Sequence, residues 1–349
     1  MSADDFRVLK AVYCYFFPET RNVLREVSER IPDDLFKVTT PAIEVEERLN
    51  SMLREPIVIP RTPQGWVSLD EIHVPIIQRI VSIYSSVIPH LSDFPFSYPT
   101  SGSSEGIFHL LTNLKAQGVK KIHVLEAEYE GFGIQAANIG LEVETHSFDE
   151  ALKMKEVGHW FISQPSARDG NLLPDEFIHA LCENGQKITL DFAYVGTTRP
   201  HAFDVSHPNI VSAVMSFSKP YGVFRFRIGG FTFSRTEIRT LYGNKWFKDV
   251  TRLVQCLVLA ERIGPLSLYP KYSPVQKEIV KEINTQHGLA LLPSDSFLLA
   301  HLKPGAASNP LTLSFKRGPF HRFCLTPYYE SRESVKGGEN AWKTSYATR

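Results

Sequence analysis

The segment Ser216-Phe217-Ser218-Lys219 sets an amine at the end of a strongly apolar run, in an S-x-S-K pattern. A lysine held at the end of a buried strand is positioned to lose its proton and form a Schiff base with an aldehyde cofactor. Ser216, Ser218 and Arg227 add hydroxyls and a rigid guanidinium, the group types that hold a phosphate through charge-assisted hydrogen bonds. The plain alternative is a polar turn followed by a surface arginine. Upstream, Asp191 ends the apolar stretch Ile188–Leu190, 28 residues before Lys219. That separation accommodates one crossover and the next strand, so both residues can reach one crevice at the carboxyl ends of parallel strands. A buried aspartate there would keep a pyridine nitrogen protonated, and Tyr194 could donate to a phenolate oxygen on the same ring. A helix-cap aspartate and a core tyrosine are the competing readings.

Two further segments belong to this chemistry. Thr100–Gly106, TSGSSEG, leads into an apolar helix; Gly102 permits a close approach, and Ser103 and Ser104 can offer amides and hydroxyls to an anion at the positive helix end. Ser103 to Glu105 also fits a simple cap. Tyr129 in LEAEYEGF stands just past a strand, where its ring would stack on a flat cofactor or merely pack.

Positioning these residues takes alternating strands and helices. Ile122–Leu125, Leu141–Thr145, Trp160–Ser163, Ile188–Leu190 and Ala213–Phe217 are the strand candidates. GIFHLLTNLKAQG and PDEFIHALCENG supply helices between them, the βα punctuation of a mostly parallel sheet. FRIGGFTFS follows too closely for a crossover helix, which suggests an antiparallel strand. Before Tyr98 the chain reads as helices from Arg21, Ala42 and Glu71, separated by the extended PIVIPRTPQG; Val74, Ile77 and Val81 mark a face to be packed. A helical region spans about Thr236 to Ile263, and FLLAHL, LTLSF and HRFCLTP read as strands of a smaller lobe.

Taken in order, these pieces resemble the fold-type-I pyridoxal-phosphate enzymes, especially the class I/II aminotransferase superfamily, over roughly Tyr98 to Arg322. The resemblance implies an α/β fold: a three-layer, mostly parallel sheet with a smaller α/β C-terminal lobe. It divides the chain into an N-terminal helical and arm region (1–97), a large cofactor-binding domain (98–260) and a small domain (261–349). It implies pyridoxal 5'-phosphate as cofactor, with Lys219 as the Schiff-base lysine. By the same resemblance Gly102, Ser103, Ser104, Ser216, Ser218 and Arg227 hold the phosphate, Tyr129 stacks on the ring, Asp191 meets its nitrogen and Tyr194 its phenolic oxygen. Arg322 in HRFCLTP resembles the arginine that grips an amino acid's α-carboxylate; Lys316 or Arg317 could take its place, and an exposed strand arginine is the alternative. The implied activity is amino-group transfer between an L-amino acid and a keto acid, in a homodimer.

Three departures stand out. In FISQPSARDGNLLP, Ala167 falls where the family carries a cofactor-contacting asparagine, leaving Gln164 or Ser166 as substitutes. The usual aromatic, proline and glycine arm is not evident in the first hundred residues, and the chain after Arg322 is short. These departures keep a second reading open: a specialised cyclase, lyase or decarboxylase built on the same cofactor.

Composition agrees with a globular enzyme. The 349 residues carry 38 basic and 38 acidic side chains, so net charge gives no reason to expect a nucleic acid or an anionic membrane as partner. Hydrophobic residues are 43% and charged residues 22%, ordinary globular proportions. The four cysteines are dispersed without a CxxC pair, arguing against a disulfide framework and a thiolate zinc knuckle. No HExxH or other compact ligand motif predicts a metal; His201 and His207 around Asp204 read as loop polarity. The glycines form no GxGxxG turn after a strand, which disfavours a nicotinamide enzyme. MSADDFRVLK lacks a secretory pattern, so the expected location is cytoplasmic.

Overall fold

The computed structural model describes residues 6–12, 14–30, 37, 39–224, 228–245, 249–303, 305–306 and 309–336. Three helices come first: α1 (Pro18–Arg30), α2 (Ala42–Asn50) and α3 (His73–Tyr84). There follow β1 (Phe96–Thr100), α4 (Ser103–Ala116), β2 (Lys121–Leu125), α5 (Glu130–Asn138), β3 (Glu142–His146), α6 (Phe148–Lys153) and β4 (His159–Ser163). Then come α7 (Asp175–Glu183), β5 (Lys187–Phe192), β6 (Ile210–Ser216), β7 (Gly230–Ser234) and α8 (Val250–Arg262). The remainder is α9 (Leu268–His287), short strands β8 (Leu292–Pro293), β9 (Leu299–His301), β10 (Lys316–Arg317), β11 (Phe320–His321) and β12 (Phe323–Cys324), and α10 (Thr326–Lys336).

Seven strands form one sheet in the order β1-β7-β6-β5-β4-β2-β3. β6, β5, β4, β2 and β3 run parallel, while β7 is antiparallel to both β6 and β1. Strand periodicity divides the core into layers. Phe161 and Val214 pack with Ile107 and Leu111 of α4 and Phe132 of α5 on one face. Trp160, Ile162, Leu190 and Met215 pack on the other, in the cluster that includes α3 and α8. A separate cluster joins α9, β9 and β12 to Tyr15 and Phe17 of the N-terminal segment. This mostly parallel three-layer sheet with a small C-terminal sheet lobe is the expected fold class.

Three local expectations change. LTLSF is not a strand: Leu313–Phe315 is a 3₁₀ turn. Asn309 and Thr312 bond each other's N–H groups through their side chains, both at 3.0 Å, and Pro310 between them favours a turn, which overrides the alternating pattern. On α3 the buried residues are His73, Ile76, Ile77, Ile80 and Tyr84, whereas Val74 is 39% exposed. Ile77 and Val81 therefore meet the core as expected, and only Val74, at the start of the helix, does not. The long helix α9, which spans Pro274, went unread because its apolar residues are diluted by polar ones.

Candidate active site

The carboxyl ends of β5 and β6 bring together residues far apart in sequence. Asp191 lies on β5 and Ser216 ends β6, with Ser218 and Lys219 in the turn that follows. α4 begins at Ser103 beside them because Gly102 and Gly230 allow it. A Cβ on Gly230 would lie 2.3 Å from the Met215 carbonyl oxygen and 2.7 Å from the Gly102 Cα, and Gly102 has φ +152°. Gly230 accepts no side chain without displacement, and a side chain at Gly102 would be strained by its backbone angle.

The result is a cavity of about 230 Å³ lined by Ser103, Ser104, Tyr129, Asp191, Tyr194, Ser216, Ser218, Lys219 and Arg322 among others. Nine of the ten expected site residues that fall in the described chain therefore converge there. Gly102 is the tenth and does not line the cavity; it shapes the entry to α4 instead. Arg227 lies outside the described residues.

The anion end keeps one unpartnered hydroxyl beside the start of a helix. The first-turn N–H groups of α4 have no partners within the helix and lie at its positive end. The Ser218 Oγ is buried without a hydrogen-bond partner, while Ser216 Oγ accepts from the Ser218 N–H at 3.2 Å. Ser104 Oγ and the Tyr129 hydroxyl are 3.3 Å apart. Four serine hydroxyls around a helix start form a donor set that fits a phosphate monoester.

Electrostatics tighten toward the middle. Burial pushes the Asp191 carboxyl up from 3.8 to about 6; the Lys219 charge opposes this, Glu128 adds to it, and the Ala193 N–H, donating at 3.0 Å, and Ser103 oppose it. Lys219 Nζ stands 4.5 Å from the centre of the Tyr194 ring. Burial acts to lower the Lys219 ammonium, but Tyr194 and Asp191 outweigh it and raise it above an ordinary lysine. The expected ease of deprotonation is therefore absent while Tyr194 and the Asp191 carboxylate act on the amine. Burial raises Tyr194, against the pull of Lys219 and Arg322.

Arg322 reaches the cavity from between β11 and β12, not from an exposed strand. Its Nη1 donates to the Ala167 carbonyl at 2.5 Å and its Nη2 to the Lys10 carbonyl at 3.1 Å, while Nε is buried and unpartnered. Burial lowers its pKa, with Tyr194 acting in the other direction. Arg317 is engaged elsewhere, with the Glu128 carbonyl at 2.9 Å and the Glu130 carboxylate at 2.5 Å.

The turn after β4 answers the open question about Ala167. Gln164 exchanges two hydrogen bonds with the Leu173 backbone, at 3.0 and 2.9 Å, and Ser166 Oγ accepts from the Arg168 backbone N–H and Nε. Neither lines the cavity; Ala167 does. Arg168 is itself held between the Phe148 and Phe320 rings, each 4.5 Å from its guanidinium carbon.

Sequence reasoning missed Ala11, Val12, Glu130 and Phe224, which also line the cavity. Ala11 and Val12 arrive because Leu9 pairs with Cys324 through two backbone hydrogen bonds, 3.2 and 2.8 Å long. A single bridge has no periodic signature. Glu130 had a signal, its position beside Tyr129.

Solved structures share this fold over most of the chain. A tetra mutant of Thermus thermophilus aspartate aminotransferase aligns at 11% identity, covering 93% of each chain, with a TM-score of 0.60. A PLP-bound C-S lyase from Staphylococcus hominis aligns at 12% identity over 92% of this chain and 87% of its own, with a TM-score of 0.61. L-threonine-O-3-phosphate decarboxylase from Porphyromonas gingivalis aligns at 15% identity over 85% and 95%, with a TM-score of 0.54. No family model and no curated protein matches the sequence.

Proposed function

We propose that this protein is a pyridoxal-phosphate-dependent enzyme that moves an amino group between an L-amino acid and a keto acid. The observation that carries the reading is the convergence of Lys219, Asp191, Tyr194, Tyr129, four serine hydroxyls and Arg322 on one cavity. When bound, the cofactor supplies an electron sink for charge developing at a substrate's α-carbon. Ser103, Ser104, Ser216, Ser218 and the start of α4 hold its phosphate, and Arg227 joins them by its place in the sequence pattern. Asp191 pairs with the ring nitrogen, Tyr194 with the phenolic oxygen, and Tyr129 covers the ring.

Asp191 then has a second effect. A carboxylate paired with a cationic ring nitrogen, and a Tyr194 engaged with the phenolic oxygen, would both favour the Lys219 ammonium less, leaving the amine to take and return the α-carbon proton. Arg322 binds the substrate carboxylate, its guanidinium oriented by the Ala167 and Lys10 carbonyls. A homodimer belongs to this reading, and sedimentation at twice the monomer mass tests it.

Ala167 favours one alternative. It offers a methyl group where the resemblance calls for an amide, and Gln164 and Ser166 are committed elsewhere. The altered contact supports elimination or decarboxylation on the same framework. Product identification across an amino acid panel separates the readings. A keto acid formed in proportion to the substrate's lost amine supports transfer; ammonia or carbon dioxide without transfer supports the alternative.

A further inference from the structure

A second cluster of chemically capable groups lies on the face of the sheet opposite Asp191. His123 shares its face with Trp160 and Leu125, while Val124, Phe161 and Asp191 project from the other. On the edge strand β3, Glu144 and His146 are two residues apart and so point the same way, and His123 pairs directly with Glu144 across the parallel ladder. His123 Nδ1 and His146 Nε2 are 3.0 Å apart, and a Glu144 carboxylate oxygen lies 3.5 Å from the first and 3.8 Å from the second. Ligands bound tetrahedrally to one zinc ion at about 2.0–2.2 Å stand about 3.2–3.6 Å from each other. The three atoms already approach that spacing.

We propose that His123, Glu144 and His146 bind one divalent first-row metal ion of the zinc type, with water completing its shell, and that the ion ties β3 to β2. The surroundings suit such a site. The His123 ring stacks on Trp160, centroids 5.3 Å apart, and the indole N–H donates to the Gln186 side-chain oxygen at 3.0 Å, which fixes the stack. Lys121 Nζ holds the other Glu144 oxygen at 2.8 Å, orienting the carboxylate toward the imidazoles as a neighbouring donor does around a metal. His123 is buried, whereas the Glu144 side chain is 47% exposed, so the ion has a route in from solvent.

β3 also has reason to need a tie. Its residues are exposed or half-buried with none fully buried, so apolar burial contributes less to its place than in β4, β5 or β7. The Lys121 ammonium beside the site disfavours hard cations, which bind through charge, more than a zinc-type ion, which binds through imidazole nitrogen. The competing account is an N–H···N bond between two imidazoles and nothing more.

Zinc titration of the full chain against a chromophoric chelator tests the proposal, comparing the wild type with His146→Ala, Glu144→Gln and, as a control in a different histidine cluster, His179→Ala. The expected result is one zinc bound per chain, weakened at least about tenfold in the first two variants and unchanged in the third. Zinc, but not magnesium, should raise the melting temperature of the wild type and leave that of His146→Ala unmoved. Glu144→Gln preserves side-chain shape and decides the matter if His146→Ala folds poorly. No zinc binding by the wild type, or binding unaffected by both substitutions, would overturn the site. Pyridoxal-phosphate absorbance read in the same samples should not change, which keeps this outcome separate from the assignment of the cavity.

Discussion

The two ends of the cavity treat their polar groups in opposite ways. At the start of α4 and the end of β6, donors are left over: Ser218 Oγ has no partner, and the first N–H groups of the helix face the same space. Around the turn after β4 most are engaged, with Gln164 bonded to Leu173, Arg168 donating to Ser166, and two of the three Arg322 nitrogens on backbone carbonyls, Nε alone being left over. Unsatisfied buried donors cost stability, so a chain keeps them where a ligand repays the cost. The first end is built to receive an anion, and the second is built to hold itself in shape while presenting an arginine.

This contrast yields measurable differences. Asp191→Asn should have the largest effect, lowering turnover on the order of 10³-fold by removing the carboxylate opposite the ring nitrogen. Stability should move the other way. Because Asp191 is raised to about 6 in the fold from 3.8, its ionisation destabilises the cofactor-free protein by about 3 kcal/mol once pH exceeds 6, and not at all below about 3.8. The cofactor-free Asp191→Asn protein should therefore be the more stable at pH 7 and lose its advantage as pH falls toward 4. Denaturant unfolding across that range checks the sign.

Arg322→Lys should come next, reducing kcat/KM by about 2–3 kcal/mol, or on the order of 10²-fold, by replacing a fork of donors with a point charge. Steady-state kinetics should place most of that loss in KM. Gln164→Ala should cost about 2 kcal/mol of folding stability, because it removes both bonds to Leu173, yet leave cofactor affinity alone. Ser218→Ala should do the reverse, weakening cofactor binding by about tenfold with no loss of stability in the cofactor-free protein. If Ser218→Ala instead destabilises the free protein while Gln164→Ala weakens cofactor binding, the two ends have been assigned the wrong way round.

Much of the large domain was legible because short apolar runs with glycine and Asn-Gly punctuation carry their own signal. All five parallel strand candidates lie within three residues of β2 to β6, and the closeness of FRIGGFTFS to the preceding strand foretold the antiparallel β7. The small lobe was less readable. Its strands are two or three residues long, and LTLSF yielded to the bonds between Asn309 and Thr312. Within the site, residues with distinctive side chains could be named in advance, whereas Ala11 and Val12 enter through one bridge to β12 and have nothing to announce them. The raised Lys219 of the cofactor-free site was hidden for a related reason: sequence shows burial, but not that Tyr194 and Asp191 both act on the amine.

The most direct test of the assigned cavity is titration of the full chain with pyridoxal phosphate, followed by borohydride reduction and peptide mass mapping. The account predicts saturable visible absorbance at one cofactor per chain, cofactor mass fixed on the peptide containing Lys219, and loss of both in Lys219→Ala. Absence of that absorbance in the wild type, or equal labelling of the Lys219→Ala protein, would contradict it.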